Sequence, residues 1–382
     1  MNTRLSISLL ILAATVAPLR AADIREASGI DGCPIKTIVE KCYPQNLYIG
    51  IATQHKLLDS LSGEIADREF GYITPANDFK QSYIHPAPGK WQWKRSDEFL
   101  SHCSANGQMM RVHGPISPQC SAWVRDDDRT NQELDAMLDE YFIALCRHID
   151  RQPSVKWMDV VNETVCKNRI NCKKYGTYEP GDWFGPRQGD NLWENPWLAL
   201  GYDSYKGNNF PTYIRRAFEI SNKYAPNVKQ IINQHGDFNA VEWDKIKSLV
   251  EYLRSRGLRV DGLGWQAHIN TGWEKTENRL RDLDSFITWC HANGLEFHIT
   301  EMNVWINRGD TETDQAATFK AVFDTVIPHC AQGPTAICFW NVRDEDTDKA
   351  VRQGTLWRND GTPRPAYFAL RESLAKNALT RF

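Results

Sequence analysis

Short apolar runs alternate with longer amphipathic stretches along almost the whole chain, and that alternation leaves few folds open. Runs suited to strands fall at Leu47–Ala52, Tyr72–Thr74, Met109–His113, Trp157–Asn162, Gln230–Asn233, Gly262–His268, Phe297–Asn303 and Ala336–Val342. Helical periodicity fills the gaps, at Lys56–Phe70, Ser96–Asn106, Asn131–Arg151, Thr212–Tyr224, Val241–Ser255, Thr276–Ala292 and Thr313–Ile327, and again near Ala366–Ala375. Strands separated by helices pair in parallel, because each crossover returns the chain to the same end of the sheet. Eight such units predict an α/β fold closed as a (β/α)8 barrel, which leaves no open sheet edge. A doubly wound open sheet is the competing architecture. It lacks a G-x-G-x-x-G turn after the first strand.

The first residues read as an export signal spanning residues 1–22: Arg4, an apolar stretch from Leu5 to Val16, and small residues ending at Ala22. A retained N-terminal anchor is the alternative, although the stretch is short for a span. The expectation is a secreted or periplasmic protein. Residues 23–46 read as a lead-in and 47–378 as one catalytic domain. There is no Ser/Pro-rich linker, solenoid repeat or low-complexity tract. A net charge of −3 with scattered Lys and Arg argues against nucleic acid as a partner. No later segment is long and apolar enough to predict a membrane span, and the chain is expected to act as a monomer.

Ten Cys in an exported chain make disulfides plausible, and Cys33/Cys42 and Cys166/Cys172 are close enough to close small loops. No paired C-x-x-C and no H-E-x-x-H accompany them, so local staples are preferred to a metal site. The 14 Trp are many. Core packing accounts for some, and a flat indole also covers the C–H face of a pyranose. A long connection, Thr164 to Asn209, leaves the fourth strand carrying Tyr175, Tyr178, Trp183, Phe184, Trp193 and Trp197. It starts at the barrel face where active sites lie. It either supplies contacts to a ligand or packs down as a local aromatic cluster.

Two Glu end apolar strands: Glu163 after Trp157-Met-Asp-Val-Val-Asn, and Glu301 after Phe297-His-Ile-Thr. The fourth and seventh strands stand nearly opposite each other in an eight-membered ring, so the two carboxyls can face across a cleft. Glycosidic cleavage needs such a pair, one protonated and one ionised. A barrel-mouth salt bridge would explain either Glu alone. His113, Asn162, Gln266, His268 and Trp340 end other strands, and Asn77 and Lys80 follow the second. Together they ring one mouth with hydrogen-bonding groups and an aromatic face.

These residues resemble the family 10 glycoside hydrolases, chiefly endo-β-1,4-xylanases. The D-V-V-N-E motif of that family matches Asp159-Val-Val-Asn-Glu163, and its I-T-E-L-D matches Ile299-Thr-Glu-Met-Asn303. Its Q-x-H matches Gln266-Ala-His268, its R-x-H matches Arg111-Val-His113, and its Q-x-x-x-W matches Gln119 to Trp123. Thr74-Pro-Ala-Asn-Asp-Phe-Lys80 matches T-x-E-N-x-x-K with one departure, and Trp197 to Phe218 and Pro363-Arg-Pro-Ala-Tyr367 are also similar.

The resemblance implies Glu163 as acid/base and Glu301 as nucleophile, with net retention. It implies that Asn162 meets the 2-hydroxyl of the sugar being cleaved. His113, Lys80 and Asn77 would hold its 2- and 3-hydroxyls, with Gln266 near the nucleophile, His268 orienting it and Trp340 against the sugar ring. The implied substrate is a polysaccharide, xylan or a related β-glycan, with no metal and no organic cofactor.

The sequence departs from the family at the sugar-contacting wall. Ala76 stands where the family has Glu, and His113-Gly-Pro-Ile-Ser-Pro-Gln119 is short and lacks the family's Trp. No second Trp is obvious after Trp340. Asn303 replaces the Asp that backs His268, so His268 is expected to hold its proton less tightly. Three other readings stay open: the same mechanism on another β-linked glycan, a non-catalytic glycan-binding barrel, and an esterase, which would want a G-x-S-x-G turn that is not evident. The formal glycosylation sequon Asn162-Glu-Thr164 falls at the predicted catalytic centre and is discounted.

Overall fold

The computed structural model describes residues 32–43, 45–117, 122–124, 129–166, 170–172, 176–179, 181–184, 196–238, 240–347 and 349–379. The expected export signal therefore lies outside the described residues, as do Gln119, Tyr175 and Trp193.

Eight parallel strands form a closed barrel: β1 (Leu47–Thr53), β2 (Tyr72–Pro75), β3 (Met109–Val112), β4 (Val155–Asn162), β5 (Lys229–Gln234), β6 (Gly262–Trp265), β7 (Glu296–Trp305) and β8 (Thr335–Trp340). Each pairs with its neighbours in chain order, and β1 pairs with β8 to close the ring. These strands are buried almost throughout, as sequences covered on both faces must be; in β4 only Lys156 is partly exposed. Helices cover the outside, among them α1 (Ile35–Cys42), α2 (Leu61–Glu69), α3 (Gln81–Ile84), α4 (Lys94–Ala105), α5 (Asn131–Ile149), α6 (Thr212–Tyr224), α7 (Ala240–Ser255), α8 (Arg279–Ala292), α9 (Glu312–Val326) and α10 (Pro365–Leu379). Two are fixed at their starts by reciprocal caps, Thr130 with Glu133 on α5 and Thr311 with Asp314 on α9.

The barrel interior is filled, not hollow. Ala52, Tyr72, Trp157, Ile231, Ala336 and Cys338 form one buried layer. Above it lie Arg111 and Asp159, both nearly inaccessible and ion-paired. Gly264 is required there: a Cβ at that position would come within 2.6 Å of Asn233 Oδ1 and of the Thr300 methyl.

The described part of the lead-in packs into the barrel domain. Ile35 and Ile38 on α1 are fully buried, Ile35 N donates to Glu69 Oε2 at 3.1 Å, and the Tyr43 hydroxyl donates to the Leu374 carbonyl on α10. The Cys33–Cys42 staple is not made, since Cys42 carries a free thiol. The reason is geometric. Cys42 is the last residue of α1 and Cys33 lies two residues before its start, and a helix rising ~1.5 Å per residue already sets Cys42 about 10 Å along the axis from Ile35, against roughly 4.4–6.8 Å between the Cα atoms of a disulfide. The Cys172 side chain lies outside the described part, so the second expected staple does too.

The long connection is not structureless. It contains two short antiparallel hairpins, Ile170–Cys172 with Gly176–Tyr178 and Tyr202–Tyr205 with Asn208–Pro211, and a 3-10 turn at Pro196–Leu200. Trp197 is fully buried, and Trp183 packs on Phe210, which stacks on Tyr252. Local packing therefore accounts for these two Trp, whereas Phe184 lines the cleft. Among the described residues no helix is long and apolar enough to cross a membrane.

Candidate active site

Backbone irregularities in two strands aim the two Glu. A strand alternates its side chains between core and interior, yet β4 shifts register between Asp159 and Val161 against β5, and β7 shifts between Ile299 and Met302 against β8. Such bulges add a residue to one side and re-aim the side chains beyond it. On β7 the consecutive residues Thr300 and Glu301 consequently both point inward: Thr300 donates to Asn233 Oδ1, and Glu301 enters the mouth. On β4, Asn162 and Glu163 turn inward after Asp159. Glu163 itself sits at φ 56°, a left-handed conformation unfavourable for a side chain with a Cβ.

Both Glu line one cleft of about 950 Å³, with Asn77, Lys80, His113, Gln266, His268, Asn303 and Trp340. Asn162 is buried directly beneath it. The expected site residues are thus brought together. A second cavity, beside the Tyr202–Pro211 hairpin, touches neither Glu.

Glu301 is held as an anion. It is 4 % exposed. Oε1 accepts from Asn233 Nδ2 at 2.9 Å and lies 3.8 Å from His113 Nε2; Oε2 lies 3.2 Å from His268 Nε2. Burial alone would raise its pKa, but His113, the hydrogen bond and charge of His268, and Lys80 outweigh it and bring the carboxyl down to about 2. Lys80 is buried and donates to Asn77 Oδ1 at 2.9 Å. Its own pKa is lowered by burial, against the opposing pull of Glu301, Glu163 and Asp78.

Glu163 has a different setting. Its Oε1 accepts from Gln266 Nε2 at 3.0 Å. Its Oε2 is buried without a hydrogen-bond partner among the described residues, with His235 Nδ1 3.6 Å away. One amide chain joins the two carboxyls: Gln266 Nε2 also donates to Asn162 Oδ1 at 3.0 Å, and Asn233 Nδ2 donates to that same oxygen at 2.9 Å. With Oδ1 doubly occupied, Asn162 has its amide N–H groups left to offer a ligand.

The supporting residues fix ring orientations. His113 Nδ1 bonds Asp159 Oδ2 at 2.8 Å, while the other oxygen of Asp159 takes Arg111. His268 Nδ1 meets Asn303 Oδ1 at 3.0 Å. Asn303 Nδ2 donates to the carbonyls of Trp340, at 2.8 Å, and Gly354, at 3.3 Å, so the amide orientation is set. Trp340 stands edge-on to His113 at 5.1 Å.

Other contributors emerge only from the fold. Asn233 ends a predicted strand and touches Glu301, a placement that strand-end position alone could flag. Asp159 opens a recognised motif to which the sequence assigns no role. His235, one residue past β5, carries no sequence signal, and nor does Trp305, which stacks on His268 at 5.5 Å. Among the described residues no cluster of His, Cys, Asp or Glu could hold a metal ion.

Comparison with known proteins bears on the fold and the family. Residues 38–373 match the model of glycosyl hydrolase family 10. An endo-1,4-β-xylanase B of Thermotoga neapolitana is 24% identical over 373 residues, covering 92% of this chain and 95% of that protein. An endo-1,4-β-xylanase A of a Caldicellulosiruptor species is 25% identical over 88% of this chain, and the chain spans about half (47%) of its length. Among solved structures, xylanase 10B of Thermotoga petrophila in complex with xylobiose superposes with a TM-score of 0.72 at 24% identity, over 91% of this chain and 98% of that one. The matched span holds the whole barrel and both Glu, and the chain belongs to glycosyl hydrolase family 10.

Proposed function

We propose that the protein hydrolyses β-1,4-xylan internally with retention of configuration, Glu301 acting as nucleophile and Glu163 as acid/base. The observation that carries this reading is the asymmetry of the two buried carboxyls across one cleft. Glu301 is surrounded by cations and donors that keep it ionised. Glu163 keeps one oxygen without a hydrogen-bond partner among the described residues. In the first step Glu301 forms a bond to the anomeric carbon, the glycosidic C–O bond breaks, and the proton on Glu163 goes to the leaving oxygen. In the second, water gives its proton to Glu163 while its oxygen displaces Glu301. Asn162 donates to the 2-hydroxyl, Lys80, Asn77 and His113 hold the 2- and 3-hydroxyls, and Trp340 covers the ring. Xylan as substrate is supported by the relatives, which are named as endo-1,4-β-xylanases. We propose further that the chain is exported, cleaved after Ala22, and acts as a monomer; N-terminal sequencing of the mature protein and its elution volume test these.

The central test is product release from β-1,4-xylan by wild type, Glu163→Ala and Glu301→Ala. Short xylo-oligosaccharides from wild type alone are expected. Cleavage of a different β-glycan, lost in both variants, would keep the mechanism and replace the substrate. Binding without cleavage, unaffected by either variant, would make the protein a glycan-binding barrel.

A further inference from the structure

We propose that one wall of the cleft holds an anionic substituent on the glycan, a uronic-acid carboxylate or a sulfate ester, between Lys56, Lys349 and Arg352. This rests on the reading that the cleft takes a β-1,4-xylan chain and specifies which xylan.

Lys56 follows β1 by three residues, while Lys349 and Arg352 lie in the segment after β8. Those strands are barrel neighbours, and Gln54 Nε2 ties the two segments by donating to the Asp346 carbonyl at 3.1 Å. Lys56 and Lys349 line the same cleft as Glu163 and Glu301. Neither these two lysines nor Arg352 is ion-paired with a carboxylate among the described residues. Among the described residues after β8, the acidic side chains before Lys349 are already engaged. Glu345 is paired with Arg343 Nη1 at 2.5 Å, and Asp346 accepts from the Ser62 hydroxyl and the Arg343 backbone N–H. At the end of β2 next door Ala76 contributes a methyl, and Asn77 and Lys80 beyond it also line the cleft.

Arg352 is held in place. Its guanidinium lies 3.6 Å over the Trp305 ring, and Nη2 donates to Asn270 Oδ1 at 2.9 Å. Lys349 Nζ is 5.2 Å from the same ring. His268 also stacks on Trp305, nearly parallel at 5°. Trp305 thus gathers the cations Arg352 and Lys349 at the cleft edge. A neutral xylan has no group to pair with this charge. A carboxylate or sulfate does, and the positive wall also offsets the repulsion that the Glu301 carboxylate exerts on an acidic chain.

The test compares kcat/KM on four purified xylo-oligosaccharides: unsubstituted, glucuronic-acid-substituted, the same compound with its carboxyl reduced to an alcohol, and a sulfate monoester. The expected result is preference for at least one anionic chain over the carboxyl-reduced one. That preference should be about fivefold for each rim lysine engaged. It should fall toward one in Lys56→Ala/Lys349→Ala and in about 0.5 M salt, where the screening length is a few ångströms. The preferred anion identifies the substituent. Equal cleavage of acidic and carboxyl-reduced chains, or a preference that survives the double substitution, would overturn the proposal. Failure to cut the unsubstituted chain and every decorated one would instead remove the xylanase reading.

Discussion

Asn233 Nδ2 donates to Glu301 Oε1 at 2.9 Å, so the neutral amide of one strand end fixes the carboxylate of another. Replacing that donor by a carboxylate, Asn233→Asp, sets two like charges side by side. The Glu301 pKa should rise, and the acid limb of kcat/KM should move to higher pH. Asn233→Ala, which only removes the bond, should lower kcat/KM by about tenfold to a hundredfold. Profiles with an aryl β-xyloside check both, and an unmoved limb in Asn233→Asp would break the link.

The acid/base role proposed for Glu163 makes a distinct kinetic prediction. A proton donor matters only when the leaving group is a poor one. Glu163→Ala should therefore lose about 10²- to 10⁴-fold on xylan but far less in the first step on a dinitrophenyl β-xyloside. Glu301→Ala should be inactive on both. Equal losses on the two substrates for Glu163→Ala would contradict the acid role.

The influence of His113 is the largest of those that hold Glu301 down to about 2. Without it the carboxyl returns toward its ordinary range. A group with a depressed pKa is ionised above that value, so the enzyme should stay competent at lower pH with His113 than without it. His113→Asn should raise the acid limb by about one pH unit, measured as kcat/KM against pH.

Asn303 has a second duty that an Asp could not perform, since its Nδ2 donates to the carbonyls of Trp340 and Gly354. Asn303→Asp should alter the acid limb through its charge on His268. It should also destabilise the fold by about 1–3 kcal/mol, because two carbonyls lose a donor and face an anion. Urea unfolding and the pH–rate profile separate the two effects.

At the opposite end of the barrel, Glu296 accepts from Trp157 Nε1 at 2.8 Å and pairs with His298 at 3.1 Å. Burial would raise its pKa; these hydrogen bonds, the charge His298 gains in acid, and Lys229 bring it down to about 2. The burial of His298 pushes its own pKa down, so at neutral pH the pair is a hydrogen bond more than an ion pair. The folded pKa of Glu296 lies below the unfolded value of about 4.5, so its contribution is complete above that pH. It fades as pH falls toward 2. A shift of that size corresponds to roughly 3 kcal/mol. Glu296→Gln should be less stable at pH 7 and should lose less stability than wild type between pH 5 and 3, by urea midpoints.

The barrel was legible because each strand is a continuous apolar run and each helix carries its own period. The pair of Glu was legible because a charged residue ending such a run has only the mouth to enter. What escaped depends on distance across the ring. Asn233 becomes a site residue through a bulge in β7, sixty-odd residues away, that turns Glu301 toward it. Trp305 matters through the His268 ring stacked on it from just past β6. The Cys33–Cys42 spacing misled because loop length was counted without the helix that fills it.

The pairing of β1 with β8 has a cost in time as well as a benefit in space. Leu47 meets Thr335, nearly three hundred residues later. A chain emerging from the ribosome therefore exposes the first strand's edge until synthesis is almost complete, and the Tyr43–Leu374 contact can form only afterwards. Refolding should be slow and its last phase should report ring closure, leaving a half-made barrel as the species most open to aggregation.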